Sequence, residues 1–128
     1  MAGGIGITPF RSMIKYLIDK NEKRDIILIY SNRYQSEIVY KNIFDEAQAK
    51  LNIKTVYTLT DKTQLPPQWS GETGRVDSIM IQKEIEDFPE RIYYLSGPPS
   101  MVKGFEAVLR QMGVKKEKIK TDFFPGFM

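Results

Sequence analysis

Cysteine and histidine are both missing from the 128 residues, and that closes off whole classes of chemistry. Without a thiol there is no disulfide scaffold, no thiolate nucleophile and no iron–sulfur cluster. Without an imidazole the usual zinc sites and the Ser–His–Asp and Cys–His mechanisms are also closed. A carboxylate-only magnesium site would need a dense Asp/Glu constellation, and the sequence has none. Charge of one sign is lacking too. The 19 basic and 16 acidic residues leave a net +3, with no basic stripe to suit nucleic acid. Even Lys115, Lys116, Lys118 and Lys120 are interrupted by Glu117 and read as a solvated face. Apolar runs fall far short of the roughly 20 residues that span a bilayer. The opening Met1-Ala2-Gly3-Gly4 does not read as a secretory signal, because no basic segment precedes an apolar one. The expectation is a soluble, cytoplasmic chain that binds neither metal nor nucleic acid, in a parent protein that is free to associate with a membrane.

What is present is an ordinary globular composition, 41% hydrophobic and 27% charged, sufficient for one domain over residues 1–128. Helical patterns alternate with short apolar runs. Thr8-Pro9 is placed to open a helix, with Thr8 as N-cap, and Phe10, Met13, Ile14, Leu17 and Ile18 then share one face. Ile26 to Tyr30 is a continuous apolar run, as in a strand covered on both faces. A second helix is expected from Ser36, with Val39, Tyr40, Ile43, Phe44, Ala47 and Leu51 as its apolar positions. Ile53 to Leu59 is β-branched and aromatic, hence a strand. Residues 60–74 read as one long functional loop. Asp77 or Ser78 would cap a short helix to Ile85. Arg91 to Leu95 is a strand, Pro98 to Met112 a helix stopped by Gly113, and Ile119 to Phe123 a last strand. The order predicts an α/β fold with a parallel, doubly wound sheet.

Three turns carry the candidate chemistry. Gly3-Gly4-Ile5-Gly6 runs directly into a helix, where backbone N–H groups and the positive helix end can meet a phosphate; the same glycines also serve as plain turn residues. Ser31-Asn32-Arg33 follows the Ile26–Tyr30 strand, where a dinucleotide fold places its adenosine ribose. A hydroxyl, an amide and a guanidinium there suit a 2′-phosphate, so NADP(H) is expected over NAD(H). Glu37 is set aside as too far into the next helix. Ser96-Gly97-Pro98-Pro99-Ser100-Met101 again joins a strand to a helix, so both glycine turns point to one crevice at the carboxyl edge of the sheet.

In order and spacing, these segments resemble the nicotinamide-dinucleotide domain of the ferredoxin–NADP⁺ reductase superfamily. AGGIGITPFRSM resembles its pyrophosphate loop, IYSNR its ribose segment, GETGRVD its linker, YYLSGPPSMV its nicotinamide loop and KTDFFPGF its tail. The resemblance implies hydride transfer between NAD(P)H and FAD, with electrons passed singly to a ferredoxin-like or other redox partner. Gly4, Gly6, Ile7, Thr8 and Pro9 would then hold the pyrophosphate. Ser31, Asn32 and Arg33 would take the ribose phosphate, and Thr60 would face the ribose and pyrophosphate. Gly97, Pro98, Pro99 and Met101 would shape the nicotinamide pocket. Ser96 would stand at the reacting ring, where many members have cysteine, and Phe124 and Phe127 would lie toward the flavin. The family's flavin barrel is not among these residues, so FAD would be bound by another domain or chain. The first strand should precede Gly3, where only Met1 and Ala2 stand; a strand-donating oligomer or a larger parent protein would supply it. The alternatives are a non-catalytic dinucleotide-binding module and a fragment with no function of its own.

Overall fold

The stripe of Phe10, Ile14, Leu17 and Ile18 is buried along one face of helix α1, Ile7–Lys20, in the computed structural model, which describes residues 1–121. The helix begins two residues earlier than the Thr8-Pro9 pair implied. Gly6, not Thr8, is the N-cap, and Thr8 is left exposed. Asn21 ends α1 in the left-handed conformation, its N–H donating to the Ile18 and Leu17 carbonyls.

The apolar run becomes strand β2, Ile27–Asn32, longer at its carboxyl end than expected. It pairs in parallel with β3, Lys54–Leu59, over six registered positions from Ile27–Lys54 to Asn32–Leu59. Between them lies α2, Lys41–Leu51. The expected start at Ser36 is corrected. Gln35–Glu37 is a single 3₁₀ turn in which Glu37 folds back to accept the N–H groups of Arg33 and Tyr34. Tyr40 then breaks the path with φ 63°, and Val39 and Tyr40 stay exposed. Glu37 thus caps a turn of its own, and the extended Ile38 and left-handed Tyr40 keep that turn from running on into α2.

The expected loop over residues 60–74 is also corrected. It holds a short parallel strand, β4, Glu72–Thr73, paired with Thr58 and Leu59. The Trp69 indole donates to Glu72 O at 2.9 Å, and the Thr58 hydroxyl donates to Gly74 O at 2.7 Å. Next come α3, Ser78–Glu84, β5, Tyr93–Leu95, α4, Pro99–Gln111, and β6, Ile119–Thr121. Phe124, Phe127 and the end of the expected last strand lie outside the described residues.

Strand β1, Ala2–Gly3, pairs in parallel with Tyr30 and Ser31 of β2, and Ala2 bridges to Ser96 just after β5. The order is therefore β4-β3-β2-β1-β5-β6, all parallel. The first strand expected to be missing is represented: Ala2 and Gly3 take its place between β2 and β5. Leu28, Tyr30, Phe44 and Ile53 pack with α1 and α2 on one face. Ile29, Val56, Tyr93 and Leu95 pack with α3 and α4 on the other. Each such side chain contributes about 1.5–3 kcal/mol by leaving water, so both faces of the central strands are anchored. A sheet wound on both faces places its loops for ligand binding at the strands' carboxyl ends.

Candidate dinucleotide site

Two backbone turns meet at that carboxyl edge. In the first, Gly4 has φ +53° and nothing within 4 Å of where a Cβ would stand, so the backbone is laid open to an approaching ligand. In the second, Gly97 lies against Gly3, 3.1 Å from a would-be Cβ to Gly3 O. The turns are in direct contact: a Cβ on Gly6 would collide with Ser96 O and fall 2.5 Å from Gly97 N. The Met101 sulfur occupies the place a side chain on Gly3 would need. Gly3 N donates to Ser96 O at 3.0 Å, fixing the two turns in register.

Helices α1 and α4 start from these turns, and their N-termini differ from that of α3. Asp77 caps α3 by accepting the Met80 N–H at 2.9 Å. Among the described residues no side chain caps α1 or α4, and neither has an acid in its first turn. Two uncapped helix ends, on adjacent strands, leave partial positive charge facing one crevice. That charge, the open Gly4 backbone and the contact between the turns fit a pyrophosphate and its attached rings. Gly4, Gly6, Ile7, Thr8 and Pro9 thus stand together with Ser96, Gly97, Pro98, Pro99 and Met101. Gly6 and Ile7 themselves are buried as structural supports.

The ends of β2 and β3 form the other wall. Thr60 N donates to Asn32 O at 2.9 Å and Asp61 N to Arg33 O at 3.3 Å, so Thr60 and Ser31-Asn32-Arg33 are held side by side. Asn32 is 5% exposed, and its Nδ2 has no hydrogen-bond partner among the described residues, an orphaned donor at the site edge. Ser31 is only 2% exposed, which leaves Arg33 as the member of the trio that reaches solvent.

Three residues set aside or missed from sequence surround Arg33. Glu37 Oε2 lies 3.6 Å from the guanidinium, while its Oε1 accepts the Arg33 N–H at 2.9 Å. The Tyr34 ring stands 5.5 Å from the guanidinium carbon. Asp61 is held below the usual carboxylate range by its hydrogen bonds from Thr63, with Tyr34 and Arg33 adding to the effect. The reading that no acid stands at this strand end is therefore corrected: the 3₁₀ turn returns Glu37 to it. The signal was the four-residue spacing of Arg33 and Glu37, masked by the assumption of a continuing helix.

Comparison with known proteins bears on this geometry. Residues 1–107 match the oxidoreductase NAD-binding domain family. The chain belongs to that family. The NAD-binding domain is 29% identical over 130 aligned residues to a subunit of the Na⁺-translocating NADH-quinone reductase of Yersinia pestis (strain Pestoides F), covering 98% of this chain and 32% of the relative. It is 23% identical to the glycine betaine monooxygenase reductase subunit of Pseudomonas aeruginosa (strain UCBPP-PA14), over 97% of this chain and 34% of the relative. The cytochrome b5 reductase domain of Ulva prolifera nitrate reductase superposes with a TM-score of 0.78 at 26% identity, covering 94% of this chain and 46% of that one. The chain thus spans about a third of the length of these curated relatives. Among the described residues no helix is long and apolar enough to cross a membrane, and no cluster of three metal-ligating side chains forms.

Proposed function

We propose that this NAD-binding domain is the dinucleotide half of a flavin-dependent reductase, and that it takes NAD(H) in preference to NADP(H). The observation that carries the first part is the contact between the Gly3–Gly6 and Ser96–Gly97 turns, which sets the open Gly4 backbone beside the Gly97 turn at one edge of the sheet. When bound there, the nicotinamide supplies the hydride, to a flavin held by another domain or chain. The residues of this chain orient it. The Gly4 backbone and the α1 end hold the pyrophosphate, Gly97 lets the ring lie close to the main chain, and Ser96 offers a hydroxyl at its edge. The curated relatives are by name an NADH-quinone reductase subunit and a reductase subunit of a monooxygenase. Those names support NADH as donor and a further redox protein as acceptor.

Preference for NAD(H) rests on Glu37. A 2′-phosphate at the tip of β2 would meet an arginine already facing one carboxylate, with Asp61 close behind. A free 2′-hydroxyl would instead find an acceptor in Glu37. Isothermal titration of the chain should give tighter binding for NADH than for NADPH. Glu37→Gln should improve NADPH binding by roughly three- to tenfold, the size of one exposed charge contact, and leave NADH equal or weaker. Tighter NADPH in the unaltered chain would overturn the preference; failure to bind either nucleotide would overturn the site.

A further inference from the structure

Three described residues other than glycine have positive φ, and Tyr40 is the odd one among them. Asn21 and Asn52 close helices, and asparagine takes the left-handed conformation readily. Tyr40 instead opens a helix, at φ 63° and ψ 21°, with a bulky side chain for which that conformation is strained. Such strain persists only where the surroundings hold it. Burial does not, since Tyr40 is 37% exposed and Val39 beside it 45%.

Two contacts hold the turn. The Val39 N–H donates to the Tyr30 hydroxyl at 3.3 Å, and Tyr30 is itself fixed in the core, edge-on to Phe44. The second contact is the Tyr40 ring against the Arg11 guanidinium, whose carbon is 5.6 Å from the ring centroid. Arg11 is half-buried on α1, and its Nε is buried without a hydrogen-bond partner among the described residues. No carboxylate pairs with it among those residues, so the ring is what orients this guanidinium.

Glu37 stands between these ties and the end of β2. Its carboxylate accepts the Arg33 and Tyr34 N–H groups, and only Ile38 and Val39 separate it from the pinned ring. We propose that Arg11 is a positioning residue for nucleotide preference: by pinning Tyr40 it holds Glu37 beside Arg33, so that the domain takes NAD(H) over NADP(H). Arg11 is the fifth residue of α1, the helix whose amino end faces the crevice. One rigid element thus carries both the pyrophosphate end and the tie on the ribose-end turn. The proposal rests on the NAD(H) reading given above.

Isothermal titration of the 128-residue chain with NADH and with NADPH gives the ratio of the two affinities. Arg11→Met removes the charge and keeps most of the length, and the preference for NADH should fall roughly three- to tenfold, as in Glu37→Gln. Made on top of Glu37→Gln, it should leave the ratio where it is, because both changes act through one contact. Tyr40→Asn removes the ring but tolerates the left-handed conformation, so it should fold and show the same fall. Tyr40→Phe keeps the ring and should keep the preference. Without nucleotide, the Arg33 amide proton in NMR spectra of Arg11→Met should move toward its position in Glu37→Gln. Equal weakening of both nucleotides would make Arg11 a direct phosphate contact, and a lower melting temperature with an unchanged ratio would make it a stabilising residue alone; either result overturns the proposal. The unaltered chain tells this failure from that of the underlying reading. If it prefers NADPH or binds neither nucleotide, the reading falls and the proposal with it, while the Arg33 signal still reports whether Arg11 holds Glu37.

Discussion

Gly4 and Gly6 stand two residues apart in one turn, yet each is glycine for a different reason. At Gly4 the constraint is φ +53° with open space around it. Gly4→Ala should therefore cost about 1–2 kcal/mol of strain and leave the turn in place. At Gly6 the constraint is the backbone of Ser96 and Gly97, within 2.5 Å of the missing Cβ. Gly6→Ala must push the two turns apart, at about 1–3 kcal/mol of overpacking, and should reduce NADH binding far more than Gly4→Ala does. Urea denaturation with NADH titration on both variants checks this, and equal losses of affinity would show that the contact between the turns is not what forms the site. The glycines themselves were legible in the sequence, because a glycine-rich turn entering a helix has few uses. Which glycine serves which purpose was not, since that depends on a neighbour far away along the chain.

At the scale of elements, the cap on α3 makes a useful contrast to the bare ends of α1 and α4. Asp77→Ala should lower stability by about 1 kcal/mol, as loss of an N-cap does, and leave NADH affinity unchanged; a change in affinity would mean that α3 belongs to the site. Arg91 ties the start of β5 to Asp25 and Asp87 at 3.0–3.1 Å. With Asp25 largely in water, Arg91→Ala should cost only about 1 kcal/mol by thermal denaturation. Both long amphipathic helices and both central strands were readable from period and composition, because their burial is continuous along the chain. Strand β4 was not, as two residues carry no period. The start of α2 was not legible because the turn that Glu37 caps through Arg33 and Tyr34 is cut off by the left-handed Tyr40. That local bond hid from the sequence the carboxylate beside Arg33 on which the proposed preference for NAD(H) rests. Ser31, Asn32, Arg33 and Thr60 were placed correctly at one edge, since strand ends in a parallel sheet share that edge whatever the loops do.

At the scale of the whole molecule, amino-acid side chains do not accept a hydride, so the proposed reading needs a flavin as the acceptor. NADH should remain unoxidised by the purified chain, and adding a flavin-binding domain from a related reductase should bring bleaching of the flavin on NADH addition. Oxidation by the chain alone would contradict this division of labour. The sheet is also uneven in strength. β2 and β3 share six registered pairs, β5 and β6 share three, and the two groups meet through the short run Met1–Gly3. Across that seam Gly3 N reaches Ser96 O, Ser96 N reaches Met1 O, and Met1 N reaches Tyr94 O. Although one core packs across it, such a seam should let the β5–β6 side open at a lower free energy than the β2–β3 ladder. Amide hydrogen exchange should find the β2–β3 ladder protected to the level of global unfolding, while β5, α4 and β6 exchange together at a lower free energy. On the proposed reading the nicotinamide meets the turn at Ser96 and Gly97, on the β5 side of the seam, so dinucleotide binding should slow exchange in β5–β6 more than in β2–β3.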